Sequence, residues 1–333
     1  MSIAVDAMGG DHAPVEIIKG AIEAVNDGLA RVILVGHQEA IEAELKKYRY
    51  PNEAITVRNT EEVIRMDEHP ASAVRHKKNS SLVVATKLVK EGEATAVISA
   101  GNTGAQMAAA LFEFGRLPGV ERPGIATVFP SPKGPKVLID SGANVDCKAS
   151  HLVQFAYLGS HYASQVLGIG NPRVALLSVG SEATKGSGAV IEAHQALAGA
   201  GDLHFTGNVE GREFMTADVD VIVCDGFVGN IALKLAEGIV STLTGMISNE
   251  LKRNPLRMLG GMLVKPAFSD IFRRMDYTEY GGAPLLGVNG LSVICHGSSR
   301  ARAVKNAVRY AAKAVQENLV ESLQKGWKQG HEA

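Results

Sequence analysis

Cysteine is scarce in this chain. Cys147, Cys224 and Cys295 are the three among 333 residues, and no two form a CxxC pair. That excludes a disulfide framework, argues against structural zinc and suits a reducing compartment. Charge of one sign is lacking as well. Lys and Arg number 34 against 35 Asp and Glu, a net charge of −1, so there is no overall reason to expect nucleic acid. No apolar run of transmembrane length is visible, and Met1 leads straight into a strand followed by Asp6 and Asp11 rather than into a secretory leader. The expectation is a cytoplasmic protein. What is plentiful is glycine, 36 residues, in a chain that is 46% hydrophobic. That fits a compact, loop-rich enzyme whose length allows one large α/β unit of two lobes and assures a sizeable core.

The organising stretch is AVISAGNTGAQMAAA, residues 96–110. Ala96 to Ser99 reads as a buried strand, Ala100 and Gly101 turn the backbone, and Asn102 or Thr103 caps an alanine-rich helix. A strand entering a helix through small residues leaves amide N–H groups at the positive end of a helix dipole, which suits an anion. The pattern recurs at IAVDAMGG (3–10), KVLIDSG (136–142), ALLSVG (175–180), VIVCDGFVG (221–229) and SVICHG (292–297). Ligands of open parallel sheets bind beyond the carboxyl ends of the strands. Six such ends predict one crevice, and alternating strands and helices predict parallel crossovers, with an antiparallel hairpin turning at SPKGPK (131–136).

Each candidate side chain has an ordinary structural role beside its functional one. Asp11 and His12 either cap the helix starting near Pro14 or reach a phosphate or water, and Asp6 ends its strand at the crevice. Arg75, His76, Lys77 and Lys78 form a basic run that is either solvated or docks an acidic partner. Asp140 and Asp146 offer a weak magnesium pattern; the stronger reading has Asn144 donating hydrogen bonds and Asp140 orienting a neighbouring loop. Lys185, in a glycine-flanked loop, is the candidate mobile cation over a phosphate. Asp225, Asn230 and Lys234 surround another strand–glycine–helix junction. Cys224 adjoins Asp225 and Cys295 adjoins His296, but neighbours in a strand face opposite sides, so both thiols are expected in the core.

Residues 231–275 differ in character. A helix carrying Leu235, Ile239, Leu243, Met246 and Ile247 leads into a segment rich in both Leu, Met, Ile and Phe and in Lys and Arg. Lys252, Arg253, Arg257, Lys265, Arg273 and Arg274 cannot all be buried with Leu256, Met258, Leu259, Met262, Leu263, Phe268, Ile271 and Phe272. Pro255, Gly260, Gly261 and Pro266 are expected to divide the segment into short pieces within a projecting helical hairpin. The last helix opens after HGSS (296–299), with one apolar stripe at Val304, Val308, Ala311, Val315 and Leu319.

With these motifs in place, the chain resembles the bacterial acyl-ACP:phosphate acyltransferases of phospholipid synthesis. AVDAMGGDHAP, RHKKNSS, ISAGNTGA, GANVD, HLVQFA, GNVEGR, CDGFVGN, YGGAPLLG and CHGSS carry the resemblance from residue 4 to residue 299. That family is similar to phosphotransacetylases and to isocitrate and isopropylmalate dehydrogenases. The resemblance implies a three-layer α/β/α fold with a mostly parallel sheet, and a homodimer. It also implies transfer of an acyl group from acyl carrier protein to inorganic phosphate, for onward use by a membrane glycerol-3-phosphate acyltransferase. No cofactor and no metal is implied. On that reading Asn102, Thr103 and the Gly104 amide hold phosphate, with Lys185 neutralising it and Asn144, Asn208 and Asn230 as further binding groups. His296 and Ser298 serve the oxyanion or the thiolate, oriented by Asp6, Asp11, His12 and Asp225. The 231–275 excursion would serve dimer, carrier or peripheral membrane contact, placing a cytoplasmic enzyme at the membrane.

Two rivals remain at this point. A dehydrogenase on the same fold would want an arginine cluster and metal carboxylates, of which only Asp140, Asp146 and Asp225 offer themselves. A non-catalytic module that docks acyl carriers at membranes would show no phosphate-dependent loss of the thioester.

Overall fold

The computed structural model describes residues 1–275 and 277–331. Strands and helices alternate as the apolar runs predict. In chain order they are β1 (Ser2–Asp6), α1 (Val15–Asn26), β2 (Arg31–Gly36), α2 (Gln38–Leu45), β3 (Ile55–Asn59), α3 (Pro70–His76), α4 (Ser81–Lys90), β4 (Ala96–Ser99), α5 (Thr103–Glu113), β5 (Gly124–Ile125), β6 (Thr127–Phe129), β7 (Lys136–Ile139), α6 (Ala149–Leu167), β8 (Val174–Ser178), α7 (Gly188–Ala198), β9 (Phe205–Glu210), β10 (Val221–Val223), α8 (Gly226–Leu251), α9 (Pro255–Met275), β11 (Ala283–Leu286), β12 (Ser292–Ile294), α10 (Ala301–Gln316) and α11 (Leu319–His331).

These strands form two sheets rather than one. The first runs β3-β2-β1-β4-β12-β11-β5 and the second β6-β7-β10-β8-β9. Pairing is parallel except for β11, which opposes β12 and β5, and β6, which turns back on β7 through the expected hairpin. Only Ala126 separates β5 from β6, and its N–H is drawn to Pro284 O (3.1 Å), so the chain steps from the edge of one sheet to the edge of the next.

Period-two alternation produces three layers. Ile3, Val5, Val32 and Leu34 share one core with Ile17 and Ile18 of α1 and Val304 of α10, whereas Ala4, Val35 and Val97 face Ala85 and Leu88 of α4. In the second sheet Val137, Ile139, Leu176 and Val221 meet Phe155 and Ala156 of α6, while Leu138, Ala175 and Ile222 meet Leu233 and Ala236 of α8. Helices therefore cover both faces of each sheet, and the fold is α/β with mostly parallel sheets.

Three sequence expectations need correction. First, α8 has 26 residues and a window of mean hydropathy 1.3, long and apolar enough by length and composition to cross a membrane. Its apolar residues are spaced by Gly, Ser and Thr, so no contiguous run announces it. Second, α9 continues through Gly260, Gly261 and Pro266, with Pro255 at its first turn, where a missing N–H costs nothing. The side chains of Ile271, Phe272, Arg273 and Arg274 lie outside the described residues. Third, the C-terminal helix is two helices, parted at Asn318, whose φ of 51° is left-handed, so Leu319 starts α11 instead of ending the stripe of α10.

Candidate active site

On the first sheet, the ends of β1, β4 and β12 carry the loops that build one wall of a cleft. Asp6 is buried and accepts hydrogen bonds from Met8 N–H (3.1 Å) and the Ser99 hydroxyl (2.7 Å), while Ser99 Oγ accepts from Gly101 N–H (3.0 Å). Burial pushes the Asp6 carboxyl above the usual carboxylate range, and hydrogen bonds from Ser81 and Ser99 oppose that. Asp6 therefore fixes the two loops and stays behind the cleft. Asp11 N–H donates to Gly297 O (2.8 Å), joining the first loop to the one after β12. Asp11 lines the cleft; His12, its neighbour, does not.

The start of α5 is built as expected but with its parts assigned differently. Asn102 is the cap: its Oδ1 accepts from Ala105 N–H (3.0 Å) and its Nδ2 faces the Met66 and Glu68 carbonyls (3.1 and 3.2 Å). A Cβ on Gly104 would stand 2.6 Å from Pro70 Cγ, so that glycine is demanded by helix packing against α3. Thr103 alone of the three lines the cleft, at the positive end of the helix.

The second sheet supplies the other wall through the loop after β7 and the first half of α8. Asp140 is fully buried and collects N–H donors from Ile125, Gly142, Ala143 and Asn144, plus Asn144 Nδ2 (2.8 Å). With both oxygens engaged, and Asp146 exposed, the two do not form a magnesium pair. Asn144 also donates to Pro123 O (2.7 Å) and is buried, so it too is scaffold. It borders a separate cavity of about 520 Å³ with Arg116, Arg122, Lys148 and His151. Asp225 caps α8 by accepting from Val228 N–H (2.8 Å). A Cβ on Gly229 would lie 1.9 Å from Asp140 O, so only glycine lets α8 sit on the Asp140 loop.

From that seat, Asn230, Leu233, Lys234 and Glu237 project into the cleft at i, i+3, i+4 and i+7. They face Asp11, Thr103, His296 and Ser299 across a cavity of about 350 Å³, floored by Thr127, Ser141 and Gly142. His296 Nδ1 lies 2.8 Å from Ser298 Oγ, and its Nε2 lies 3.6 Å from Glu237 Oε2. Asp11, Thr103, Asn230 and His296 are thus brought together among the expected residues, with Ser298 joined through His296.

Lys185 and Asn208 form a group elsewhere, at the ends of β8 and β9. Asn208 donates to Glu182 O (2.9 Å) and meets His194 Nδ1 (2.9 Å), while Lys185 is exposed with its carbonyl accepting from the Ser178 hydroxyl (3.0 Å). Sequence reasoning passed over Glu237, Ser141 and Tyr280 and did not choose Lys234. The i, i+3, i+4, i+7 spacing of polar residues in α8 was the available signal for two of them. Cys224 and Cys295 are both core, as expected; Cys295 also borders the cleft, and burial raises its thiol pKa to about 12.

Such a cleft can bind a small anion at Thr103 and Lys234 and present it to a group held by the His296 loop. Comparison with known proteins bears on which one. The model of the fatty acid synthesis protein family matches residues 1–322. The phosphate acyltransferase of Heliobacterium modesticaldum is 54% identical over 325 residues, covering 97% of each chain. Among solved structures, a phosphotransacetylase from Streptococcus pyogenes superposes with a TM-score of 0.65 at 19% identity, covering 95% of this chain and 94% of its own. A 4-hydroxythreonine-4-phosphate dehydrogenase from Klebsiella pneumoniae does so at 0.53 and 14% identity, over 93% and 98% of the two chains. These two likenesses concern the fold alone.

Proposed function

The chain belongs to the phosphate acyltransferase family, and from that premise we propose that its cleft moves a fatty acyl group from the thioester of acyl carrier protein to inorganic phosphate. The products are acyl phosphate, for phospholipid synthesis, and the free carrier thiol. The observation that carries this reading is the pairing of walls: Thr103 and His296 from one sheet face Asn230 and Lys234 from the other across a single cavity. Phosphate is already anionic at neutral pH and a thiolate leaves readily, so the enzyme's main task is to hold the two reactants in line and stabilise the oxyanion. Phosphate attacks the carbonyl directly, with no acyl-enzyme. The Thr103 hydroxyl and the free amides at the start of α5 hold phosphate, Lys234 faces it, and Lys185 comes over it from its exposed loop. The decisive assay follows acyl carrier thioester with and without phosphate. Loss that requires phosphate and yields acyl phosphate supports the reading; loss independent of phosphate would overturn it. Nicotinamide reduction with hydroxy acids would instead favour a dehydrogenase.

The face of α8 turned away from the cleft and the described surface of α9 serve contacts outside the cleft. Phe227, Ile231, Leu235, Ile239, Leu243 and Met246 are exposed at roughly four-residue steps on α8, and Leu256, Leu259, Met262 and Leu263 are exposed on α9. Arg253 and Arg257 pair with Glu250, leaving basic charge in excess beside Lys252 and Lys265. We assign the α8 stripe to a homodimer and the α9 surface to anionic lipid, which would place the cytoplasmic enzyme peripherally at the membrane, beside a glycerol-3-phosphate acyltransferase. Basic residues near such a surface contribute about 1 kcal/mol each, enough together for reversible attachment. Replacing Leu259, Met262 and Leu263 with polar residues should abolish sedimentation with anionic liposomes and leave the dimer intact. Retained liposome binding in a folded dimer rules out the lipid assignment, and loss of the dimer moves α9 to the subunit interface.

A further inference from the structure

Glu237 sits seven residues into the cleft-facing side of α8, opposite the loop that follows β12. Its two carboxylate oxygens are in different situations. Oε2 lies 3.6 Å from His296 Nε2, whereas Oε1 is buried and has no hydrogen-bond partner among the described residues. An orphan buried carboxylate oxygen is costly, and native structures keep few of them without a reason.

The other side of the imidazole settles its hydrogen. The Ser298 backbone N–H points at His296 Nδ1 (3.3 Å), and the Ser298 hydroxyl lies 2.8 Å from the same nitrogen. A backbone N–H can only donate, so Nδ1 is an acceptor here and also takes the hydroxyl hydrogen. The ring hydrogen must then reside on Nε2, which faces Glu237. A separation of 3.6 Å is beyond hydrogen-bond length, but contacts of this kind in empty sites commonly shorten when substrate binds. Asp11, Lys234, Tyr280 and Cys295 are the other ionisable side chains lining the cavity, and among the described residues none of them hydrogen-bonds or ion-pairs with the imidazole.

We propose that Glu237 is a positioning residue that holds His296 in its Nε2–H form, so that the Ser298 hydroxyl and His296 Nδ1 carry the proton of the reaction. The proposal rests on the acyl transfer reading given above. Hydrogen phosphate brings a proton that its attacking oxygen cannot keep, and the departing sulfur needs one. The phosphate oxygen–carbon bond forms, the carbon–sulfur bond breaks, and the proton passes through the Ser298 hydroxyl to Nδ1. Facing Glu237, the resulting imidazolium is balanced. It then returns the proton along the same path to the thiolate, leaving acyl phosphate and a neutral thiol with no net change in the enzyme. No serine ester forms.

The test has two arms. Long-range nitrogen–proton spectra of the imidazole in the intact wild-type protein should show the Nε2–H tautomer; an Nδ1–H tautomer overturns the proposal whatever reaction the site runs. In steady-state assays Glu237→Ala should lower kcat on the order of tenfold to a hundredfold, with KM for phosphate and for thioester within about threefold. Glu237→Asp or added formate should restore a substantial part of the loss, which a purely structural residue would not allow. Glu237→Gln, similar in shape, should lose turnover too and covers the case of an alanine variant that does not fold. Unchanged turnover, a loss confined to KM, or no rescue by either carboxylate overturns the proposal. A wild-type enzyme that consumes no thioester in phosphate would sink the reaction itself, and the tautomer spectrum would still judge the Glu237–His296 pairing.

Discussion

The two sheets contribute to the cleft by different routes. In the first sheet β1, β4 and β12 are consecutive neighbours, so the loops bearing Asp11, Thr103 and His296 abut one another. In the second sheet β7 and β10 are adjacent and supply Ser141 and Asn230, but β8 and β9 lie beyond β10, toward the far edge. Lys185 and Asn208, which follow or end those outer strands, consequently stand away from the cavity. A strand–glycine motif marks the end of a strand; the order of strands decides whether that end reaches the ligand. The first wall is therefore fixed by its neighbours, whereas the second depends on the loop after β7 and on a helix, α8.

The most severe test is to break the fixed wall. Thr103→Val keeps the shape of the side chain and removes one donor at the helix start. Losing one oriented donor costs about 10²–10³-fold, so catalytic efficiency with phosphate should fall by that order. An unchanged phosphate dependence would remove α5 from the site.

Next in size is the way the second sheet is held at the end remote from the cleft. Arg173, just before β8, binds Asp220, just before β10, through Nε and Nη2 (2.9 and 3.0 Å), and also contacts Asp218. Burial works to raise the Asp220 carboxyl, but the hydrogen bonds from Arg173 outweigh it and the pKa falls below the usual aspartate value. Because the folded pKa is depressed, the unfolded chain binds more protons in this window. The stabilisation is present above the ordinary aspartate pKa of about 3.9 and lost as pH falls through the folded value. Hydrogen bonds to charged groups contribute about 2 kcal/mol, so Asp220→Asn should lose about that much in urea unfolding at neutral pH. The variant's stability should also fall less than the wild type's between pH 5 and 3. Parallel pH profiles would show that this pair does not set the acid sensitivity of the second sheet.

Much of this arrangement was readable in the residues. Apolar runs ending in a polar residue and glycine gave the strands, and Asp11, Thr103, Asn230 and His296 were picked out by residue type at those ends. The same chemistry misdirected the rest. A group that binds phosphate well also caps a helix or gathers loop amides, and Asn102, Asp225, Asp6 and Asn144 are spent that way, whereas Asp140 orients its loop as expected. Period alone cannot separate those uses, because the choice is made by contacts distant in sequence, such as Ser99 with Asp6 and Pro123 with Asn144. α8 was obscured for another reason. Its apolar stripe at Leu235, Ile239 and Leu243 suggests an inward face, yet that stripe is exposed, and Asn230, Lys234 and Glu237 point inward. A polar cleft inverts the usual amphipathic rule.

A smaller effect is expected from the exposed loop of the second sheet. Lys185→Ala should raise KM for phosphate about tenfold, or about 1.4 kcal/mol, while KM for the thioester stays within about twofold. That asymmetry is the signature of a cation that meets phosphate only after the loop comes over the cleft. Equal changes in both constants, or none, would leave the outer strands of the second sheet without a part in binding.

The smallest effect falls on a pair of cysteines that occupy matching places, one per sheet. Cys224 follows β10 and Cys295 follows β12, and both are buried. Cys295 is the sharper case, because it lines the cavity while its neighbour His296 carries the proposed chemistry. A cysteine acts as a nucleophile through its thiolate. Burial raises the Cys295 thiol to about 12 and that of Cys224 well above its usual value, so neither supplies thiolate at neutral pH. Cys147, the third, is half-buried and is also pushed up to about 12, with Asp140 and Asp225 adding to the burial. Single replacement of each by Ala or Ser should therefore leave turnover within about tenfold, which is about 1.4 kcal/mol in barrier, with any change coming from packing. Quenching the reaction in acid and measuring the intact mass decides the point. An acyl group retained on Cys295, and absent from Cys295→Ala, would replace direct attack by a covalent route and make the first sheet's wall a nucleophile rather than a holder of phosphate.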